Sequence, residues 1–215
     1  MKDAQGNLVL GRTGWRRFAV VMVPAVVAAG ALVVGMANGA IAASFSVSGS
    51  TFKVSASRLE GTGFVQYGGF IAEKGGNPNN PFDPKNHATA VSGIASAKLF
   101  DLCQSVKVTG LPLSLVIRAG RGGTPAEATD LLINMTQLSG NATFTNIVIG
   151  QDASTLDKAG PNAHGLAGQF GQQADAVVIT DLKQVAWSTT AGSFTLNGLD
   201  LHVDADGSPE ECFPG

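Results

Sequence analysis

Apolar and polar residues alternate along most of the chain after residue 43, and this period of two predicts β-strands. The first run places Phe52, Val54 and Ala56 on one face, with polar or charged residues between them. Further strand-like runs follow at 87–102, 103–109, 111–119, 131–138, 144–149, 177–185 and 194–203. No run after residue 43 has apolar residues at a convincing helical spacing, so the pattern predicts a mainly β domain.

Two polar, glycine-rich segments, residues 68–86 and 151–173, interrupt this pattern and predict long loops. Long loops in compact domains are functional or disordered. Residues 68–86 are therefore interpreted either as a plain insertion or as a contact with a partner or ligand.

A weak internal repeat, with spacings near 40–46 residues, relates the strand-like runs to one another. Residues 97–102 resemble residues 142–147, and residues 128–133 resemble residues 174–179. A strand–turn–strand unit of this kind cannot bury its apolar face alone, so copies must stack or pair. We predict a twisted antiparallel sheet or sandwich, with a parallel β-solenoid as the alternative.

An uncharged segment precedes the β pattern. Phe18–Met36 are 19 residues without a charge, and the uncharged run continues to Ala43, with Arg12, Arg16 and Arg17 just before it. This charge asymmetry places residues 1–17 in the cytoplasm as a tail and residues 44–215 outside the membrane. Residues 18–43 are predicted to be a signal peptide or a transmembrane anchor.

Cleavage and retention of this segment both remain open. Ala40-Ile41-Ala42 followed by Ala43 forms an A-x-A cleavage site, which favours a signal peptide cut between Ala42 and Ala43. The apolar run is also long enough for a spanning helix of about 20 residues. The protein is therefore expected to be secreted or bound to the cell membrane.

The charge of the exported part argues against nucleic acid as a partner. Residues 44–215 hold 10 basic and 15 acidic residues, a net charge of −5. A mildly acidic domain lacks the basic footprint that binds DNA, RNA or anionic lipid.

The only two cysteines are Cys103 and Cys212. An even number of cysteines in an exported chain predicts a disulfide. Two free thiols are the alternative, although neither cysteine lies in a CxxC motif or beside a histidine.

Residues for catalysis are not apparent, and no catalytic, cofactor-binding or metal-binding residue is assigned. A serine hydrolase of the α/β type needs a G-x-S-x-G turn, which the chain lacks. Ser48 and Ser92 are interpreted as turn residues. The three histidines, His87, His164 and His202, are isolated in sequence and form no zinc-ligand pair.

An acidic cluster near the C-terminus is a fragment of a calcium-loop pattern. Asp200, Asp204 and Asp206 precede Gly207, but the spacing and glutamate of an EF-hand are missing. A solvated acidic turn is the favoured interpretation.

Several segments resemble an uncharacterised family of exported actinobacterial proteins, common in Streptomyces-like organisms, whose members often carry the label cholesterol esterase. The resemblance extends from Trp15 to Phe213. It includes Leu59-Glu-Gly-Thr-Gly-Phe-Val-Gln-Tyr67, Leu102-Cys-Gln-Ser-Val106, Asn141-Ala-Thr-Phe-Thr-Asn-Ile147, Gly150-Gln-Asp-Ala-Ser154, Phe170-Gly-Gln-Gln-Ala-Asp175 and Gln184-Val-Ala-Trp-Ser-Thr-Thr-Ala-Gly192. It implies a location in the cell envelope of a Gram-positive organism and supplies no catalytic residues.

Three functions remain as hypotheses. The first is a non-catalytic envelope protein whose β-domain binds lipid or an envelope partner protein. The second is a lipid or sterol ester hydrolase, and the third is a self-assembling surface protein that uses exposed sheet edges.

Overall fold

The computed structural model describes residues 48–77, 80, 82–108, 110–205 and 209–214. Within these residues the chain forms nine strands and one short 3-10 helix, so the prediction of a mainly β domain is confirmed. The elements are β1 (Phe52–Ala72), β2 (Asn86–Phe100), β3 (Leu102–Lys107), β4 (Ser114–Ala119), β5 (Ala126–Thr145), β6 (Val148–Asp152), the helix Ala153–Thr155, β7 (Phe170–Thr190), β8 (Ser193–Thr195) and β9 (Asp200–Asp204).

Four long strands form a closed ring. β1 pairs with β2 along one edge, from Arg58↔Phe100 to Ala72↔Asn86, and with β7 along part of its other edge. β5 pairs with both β2 and β7, so the hydrogen-bonded ladder passes from β1 through β2, β5 and β7 and returns to β1.

All the described pairings are antiparallel, which excludes the parallel solenoid as the architecture of this part of the chain. The antiparallel sheet was the favoured prediction, and it is confirmed. The repeat segments 128–133 and 174–179 lie within the ring strands β5 and β7. Segment 97–102 runs from the end of β2 into β3, and segment 142–147 extends past the end of β5.

The main hydrophobic core fills the inside of this ring. Phe64 is 2 % exposed, and its ring centroid lies 5.3 Å from that of Phe144. Each ring strand contributes buried apolar residues, including Val54 and Leu59 of β1, Ile94 and Leu99 of β2, Leu131 and Met135 of β5, and Val177 and Ile179 of β7. A smaller cluster of Val65, Ala153, Leu156, Ala159 and Ala163 forms separately, where residues 153–163 pack on β1.

Backbone kinks interrupt the alternation of buried and exposed side chains in two of the ring strands, β5 and β7. Alternation of buried residues skips one position between Ile179 and Leu182 and between Ala128 and Leu131. Asp181, just before Leu182, has a φ of 54°, and Asp130, just before Leu131, has a φ of 49°. Asp tolerates this left-handed conformation better than most residues, so each kink lets a long strand bend around the core.

The sheet continues beyond the ring. β3 pairs with β1 at Lys53–Ser55, β4 pairs with β3, and β9 pairs with β4 and forms the edge. β6 pairs with β7, and β8 pairs with β5. The extension β3–β4–β9 lies outside the closed ladder.

Both predicted long loops are shorter than the sequence suggests. β1 runs on to Ala72 and β2 begins at Asn86, because Gly68–Ala72 keep antiparallel pairing with Asn86–Ala90. The second loop is shortened at both ends, by β6 as far as Asp152 and by β7 from Phe170.

The predicted tail 1–17, the segment 18–43 and the cleavage site at Ala42 and Ala43 lie outside the described residues. Among the residues that the structure describes, none form a helix of the length and hydrophobicity needed to cross a membrane.

Gly63 is held in a conformation that only glycine occupies easily, at the place where residues 153–163 cross β1. Its φ is +66°, and a Cβ atom there would lie 2.2 Å from the carbonyl oxygen of Lys158. Gly122 has a similar φ of +68° but no atom within 4 Å of the same position. Substitutions at these two glycines therefore distinguish the cost of the left-handed backbone from the cost of the close contact with Lys158.

We expect Gly63→Ala to destabilise the protein more than Gly122→Ala does. Both changes incur about 1–2 kcal/mol for the left-handed backbone, whereas Gly63→Ala adds about 1–3 kcal/mol for overpacking against Lys158. Urea unfolding of the two variants and the wild type measures the difference. Equal destabilisation would contradict the tight contact between β1 and residue 158.

Candidate functional site

An open groove of about 490 Å³ lies beside β1, β3, β4 and the end of β7. Its apolar walls are Phe52, Leu102, Ile117, Trp187, Phe194 and Leu196, and its polar lining comes from Ser48, Gln104, Ser188 and Thr189. An apolar cleft with a few polar groups is the usual form of a small-molecule site.

The groove exists because the inner face of the ring continues onto the extension. Gln104 of β3 lies directly opposite Val54 of β1 and opposite Ile117 of β4. Directly opposed residues place their side chains on the same face of a sheet. Val54 belongs to the core, so the face that carries Gln104 and Ile117 extends the core face beyond the ring.

A narrower cavity of about 30 Å³ connects the groove with the core. Both spaces are lined by Leu102, Gln104, Thr189 and Phe194, and the narrower one reaches Leu59, Leu182 and Gln184. The Gln184 side chain is 4 % exposed, at a position where its neighbours are mostly apolar. Gln104 and Gln184, both opposite Val54, therefore place two amide groups at the inner end of the groove.

An exposed apolar face continues the groove toward the edge of the sheet. Ile117 is paired with Leu201 and Leu115 with Val203, so these four side chains share one face. Leu201 and Val203 are 55 % and 59 % exposed. We call Leu115, Ile117, Leu201 and Val203 the β4–β9 apolar face.

One wall of the groove is braced by an aromatic stack. The rings of Trp187 and His87 lie 3.9 Å apart and nearly parallel, and His87 Nε2 lies 2.7 Å from Glu73 Oε1. The Trp187 Nε1 atom is buried without a hydrogen-bond acceptor among the described residues. This stack ties the start of β2 to the end of β7 beside the groove.

The opposite face of the extension is covered by the C-terminal segment. Cys212 forms a disulfide with Cys103 of β3, as the sequence predicts, and its backbone N–H donates to Ser105 Oγ at 3.0 Å. Lys53 Nζ donates to the Phe213 carbonyl oxygen at 3.0 Å. We call residues 209–213 the C-terminal clasp.

Ion pairs add to the clasp. Glu211 lies 2.9 Å from Lys53 Nζ and 2.7 Å from Lys107 Nζ, and Glu210 is paired with Arg118 and His202. Hydrogen bonds from His202 and then Arg118 lower the pKa of Glu210. Burial acts to raise the pKa of Glu211, but its hydrogen bonds and charge interactions with the two lysines outweigh burial and lower that pKa.

The two serines singled out from the sequence occupy different environments. Ser48 lies at the rim of the groove, and its Oγ donates to the carbonyl oxygen of Ser50 at 3.3 Å. The turn interpretation of Ser92 is wrong, because Ser92 lies within β2, is 3 % exposed and accepts a hydrogen bond from Gln66 Nε2 at 3.0 Å. Gln172 Nε2 donates in turn to Gln66 Oε1.

The histidines and acids do not form a shared site in the described part of the chain. His164 Nδ1 lies 3.3 Å from the carbonyl oxygen of Gly165, and His202 contacts Asp200 and Glu210. Asp200 and Asp204 lie on β9, where Asp204 accepts the backbone N–H of Glu210, and Asp206 lies outside the described residues. No group of three or more described His, Cys, Asp or Glu residues could hold a metal ion.

The pattern of the family of unknown function DUF6230 matches residues 48–213. The chain belongs to this family. The DUF6230 match therefore covers the ring, the extension and the clasp together. No curated protein and no solved structure matches the chain.

Sequence reasoning did not identify the residues of the groove in this DUF6230 chain. Phe52 of β1, Ile117 of β4 and Trp187 of β7 line the groove, although their strands are far apart in the sequence. The strand-like run 194–203 was visible in the sequence, but alternation does not show which of its apolar residues stay exposed. Leu201 and Val203 remain exposed because β9 pairs with β4 at the outer edge of the sheet.

We expect the Cys103→Ser/Cys212→Ser double variant to lose about 4–5 kcal/mol of unfolding free energy, from the loop-entropy relation. The bond joins residues 109 positions apart, so it restricts the unfolded chain strongly. Denaturant unfolding of the wild type with and without reductant gives the same comparison without a substitution. A loss below about 1 kcal/mol would show that the clasp holds without the bond.

The clasp carboxylates are expected to make stability depend on pH in the acid range. Their folded-state pKa values lie below the unfolded value of about 4.3, so their stabilisation is complete above that pH and is lost as the pH falls further. Glu210→Gln/Glu211→Gln should lower stability near neutral pH and reduce its decline between about pH 5 and pH 3. Glu127→Gln, at an exposed residue 4.0 Å from Lys98, is the matched control.

Parallel pH curves for the wild type and the clasp variant, measured by thermal unfolding, would contradict this assignment.

Proposed function

We propose that the protein is a non-catalytic cell-envelope protein, attached to the membrane through residues 18–43, whose β-domain holds the acyl chain of a membrane lipid. The groove between Phe52, Ile117, Trp187 and Phe194 is the observation that supports this function most directly.

The lining of the groove suits an alkyl chain. Its volume of about 490 Å³ is that of a small-molecule site, and aromatic and branched aliphatic side chains form its walls. Each methylene group buried there contributes about 0.8 kcal/mol to the free energy of binding. The loss of translational and conformational freedom on binding offsets part of this gain. The amide of Gln104, which lines the groove, offers a hydrogen bond to a polar group of the lipid.

The position of the groove also suits a membrane lipid. Ser48 lines its rim, and Ala43, the last residue of the uncharged segment, precedes Ser48 by five positions. Five extended residues span at most about 18 Å. The groove therefore lies beside the first described residue of the domain, where the chain enters from the proposed anchor.

A lipid or sterol ester hydrolase, the label that the resembling family often carries, would use the same apolar groove. The geometry supports this alternative less well, because the described histidines are not paired with a serine. Instead, His87 contacts Glu73, His164 contacts the Gly165 carbonyl, and His202 contacts Glu210. Attack on an ester by serine needs a base within hydrogen-bond reach.

Native mass spectrometry of the full chain, isolated from its membrane in mild detergent, tests the proposal when combined with lipid extraction. We expect one lipid per chain in the wild type. Phe194→Glu places a charge on the groove wall and should abolish the lipid-bound mass. Ile149→Glu is the matched control, because Ile149 is an exposed apolar residue of the short edge strand β6 and does not line the groove.

A lipid-free wild type would contradict the acyl-chain function. Concentration-dependent polymers of lipid-free protein would instead favour assembly through the exposed edge strand β9. If the Phe194→Glu variant retained lipid at the wild-type stoichiometry, the lipid would have to bind outside the groove.

A further inference from the structure

A second open cavity lies on the outer face of the ring, where Tyr67 packs against the smaller apolar cluster. Its volume is about 740 Å³, and it shares no lining residue with the groove. Its floor comes from Tyr67, Val91 and Asn134, which lie directly opposite one another on β1, β2 and β5. We propose that this cavity, which we call the Tyr67 cavity, binds a neutral saccharide. The proposal does not depend on the lipid-binding function of the groove.

Hydrogen bonds hold the wall of the Tyr67 cavity in place. The wall comes from the segment between β6 and β7 and consists of His164, Leu166 and Gln169. The Gly165 N–H donates to the Ala153 carbonyl oxygen, and the Ala153 N–H donates to the Gln169 carbonyl oxygen, both at 2.9 Å. Because the wall is fixed by the fold, a ligand that binds there does not lose affinity through ordering of the segment.

The Tyr67 side chain brings a hydroxyl group to the cavity. The Gly165 backbone packs against its ring, since a Cβ atom on Gly165 would lie 2.9 Å from Tyr67 Cδ2. Burial raises the pKa of Tyr67, so the hydroxyl keeps its proton. This hydroxyl can donate and accept hydrogen bonds, and it has no partner among the described residues.

The wall adds two further hydrogen-bonding groups. His164 Nδ1 lies 3.3 Å from the Gly165 carbonyl oxygen, which is an acceptor, so Nδ1 carries the proton of the neutral ring. His164 Nε2 is then an acceptor. The Gln169 amide is exposed, pairs with no other described residue, and offers both a donor and an acceptor.

The lining of the cavity carries no fully charged side chain that would recognise an ionised ligand. The described residues that line it include no aspartate, glutamate, lysine or arginine. An ionised ligand would lose hydration there without gaining an opposite charge. An alkyl chain would leave the three polar groups unused. The hydroxyl groups of a sugar both donate and accept, and its C–H faces suit the apolar side chains of Val91, Leu132 and Leu166.

A peptide matches the cavity less well, because the floor is a sheet face and not a sheet edge. At Val91, β2 pairs with Tyr67 of β1 on one side and with Asn134 of β5 on the other. An extended peptide gains affinity by pairing with a free strand edge, and β2 offers none at this place. A neutral saccharide is therefore the ligand class that uses the whole lining.

Nuclear magnetic resonance of the full chain tests the proposal, because Tyr67 is the only tyrosine in the sequence. An isotope-labelled tyrosine ring therefore gives a signal from this cavity alone. The chain is kept in a detergent without a sugar headgroup. The probes are glucose, galactose, mannose, N-acetylglucosamine, cellobiose and N,N′-diacetylchitobiose, each in millimolar excess. Glucuronate and dihexanoylphosphatidylcholine serve as the charged and the apolar comparison.

We expect at least one neutral sugar to shift the Tyr67 signal in a saturable manner. The double variant His164→Ala/Gln169→Ala removes two polar groups from the exposed wall and should weaken the affinity for that sugar about tenfold or more. Gln137→Ala is the matched control, because Gln137 is an exposed glutamine of β5 that does not line the cavity. This control should bind the sugar as the wild type does.

Three outcomes would overturn the saccharide site. The first is no saturable shift with any of the neutral sugars. The second is a shift with glucuronate or the phospholipid alone, which would assign the cavity to an anion or to an acyl chain. The third is wild-type sugar affinity in the His164→Ala/Gln169→Ala variant, which would place the sugar elsewhere. The Phe194→Glu variant should still bind the sugar, because Phe194 lines the groove and not this cavity.

Discussion

Hydrogen bonding between β1 and β7 is the constraint on which the other features of the domain depend. These two strands lie far apart in sequence, yet fourteen residues of β1 pair with β7, from Phe52↔Ala186 to Tyr67↔Gly171. Without this pairing the ladder β1–β2–β5–β7 would be an open sheet with one apolar face in water. With it, the apolar faces of four long strands enclose a common core, and no second layer is required.

The extension β3–β4–β9 is not part of this closed ring, so its apolar face is not enclosed in the same way. It continues the inner face of the ring outward, but no facing strand closes over it in the described structure. Its two faces consequently differ in kind. The C-terminal clasp covers one through a disulfide and ion pairs, while the other retains the groove and the β4–β9 apolar face. An uncovered apolar face of this kind is typical of an interaction site, and here it lies beside the start of the domain.

Local chemistry made the strands and the disulfide predictable from the sequence. Even the kinks had a sequence signal, because the apolar positions step by three residues where Asp130 and Asp181 take a positive φ. The closure of the ring could not be predicted, since it depends on which distant strands pair, and alternation alone does not choose partners. The groove was missed for the same reason: Phe194 has the pattern of a core residue, and its exposure follows from tertiary pairing.

The bond between Cys103 and Cys212 also fixes the covalent topology of the domain. It encloses the chain from β4 to β9, including the exposed residues of the 153–169 loop. A protease that cuts this loop would leave two fragments joined through sulfur as well as through the paired strands β5 and β7. The nicked domain would keep its size on a non-reducing gel and separate only after reduction. In the location proposed for the domain, outside the cell, proteases are common and reductants scarce, and a single cut would not release a fragment.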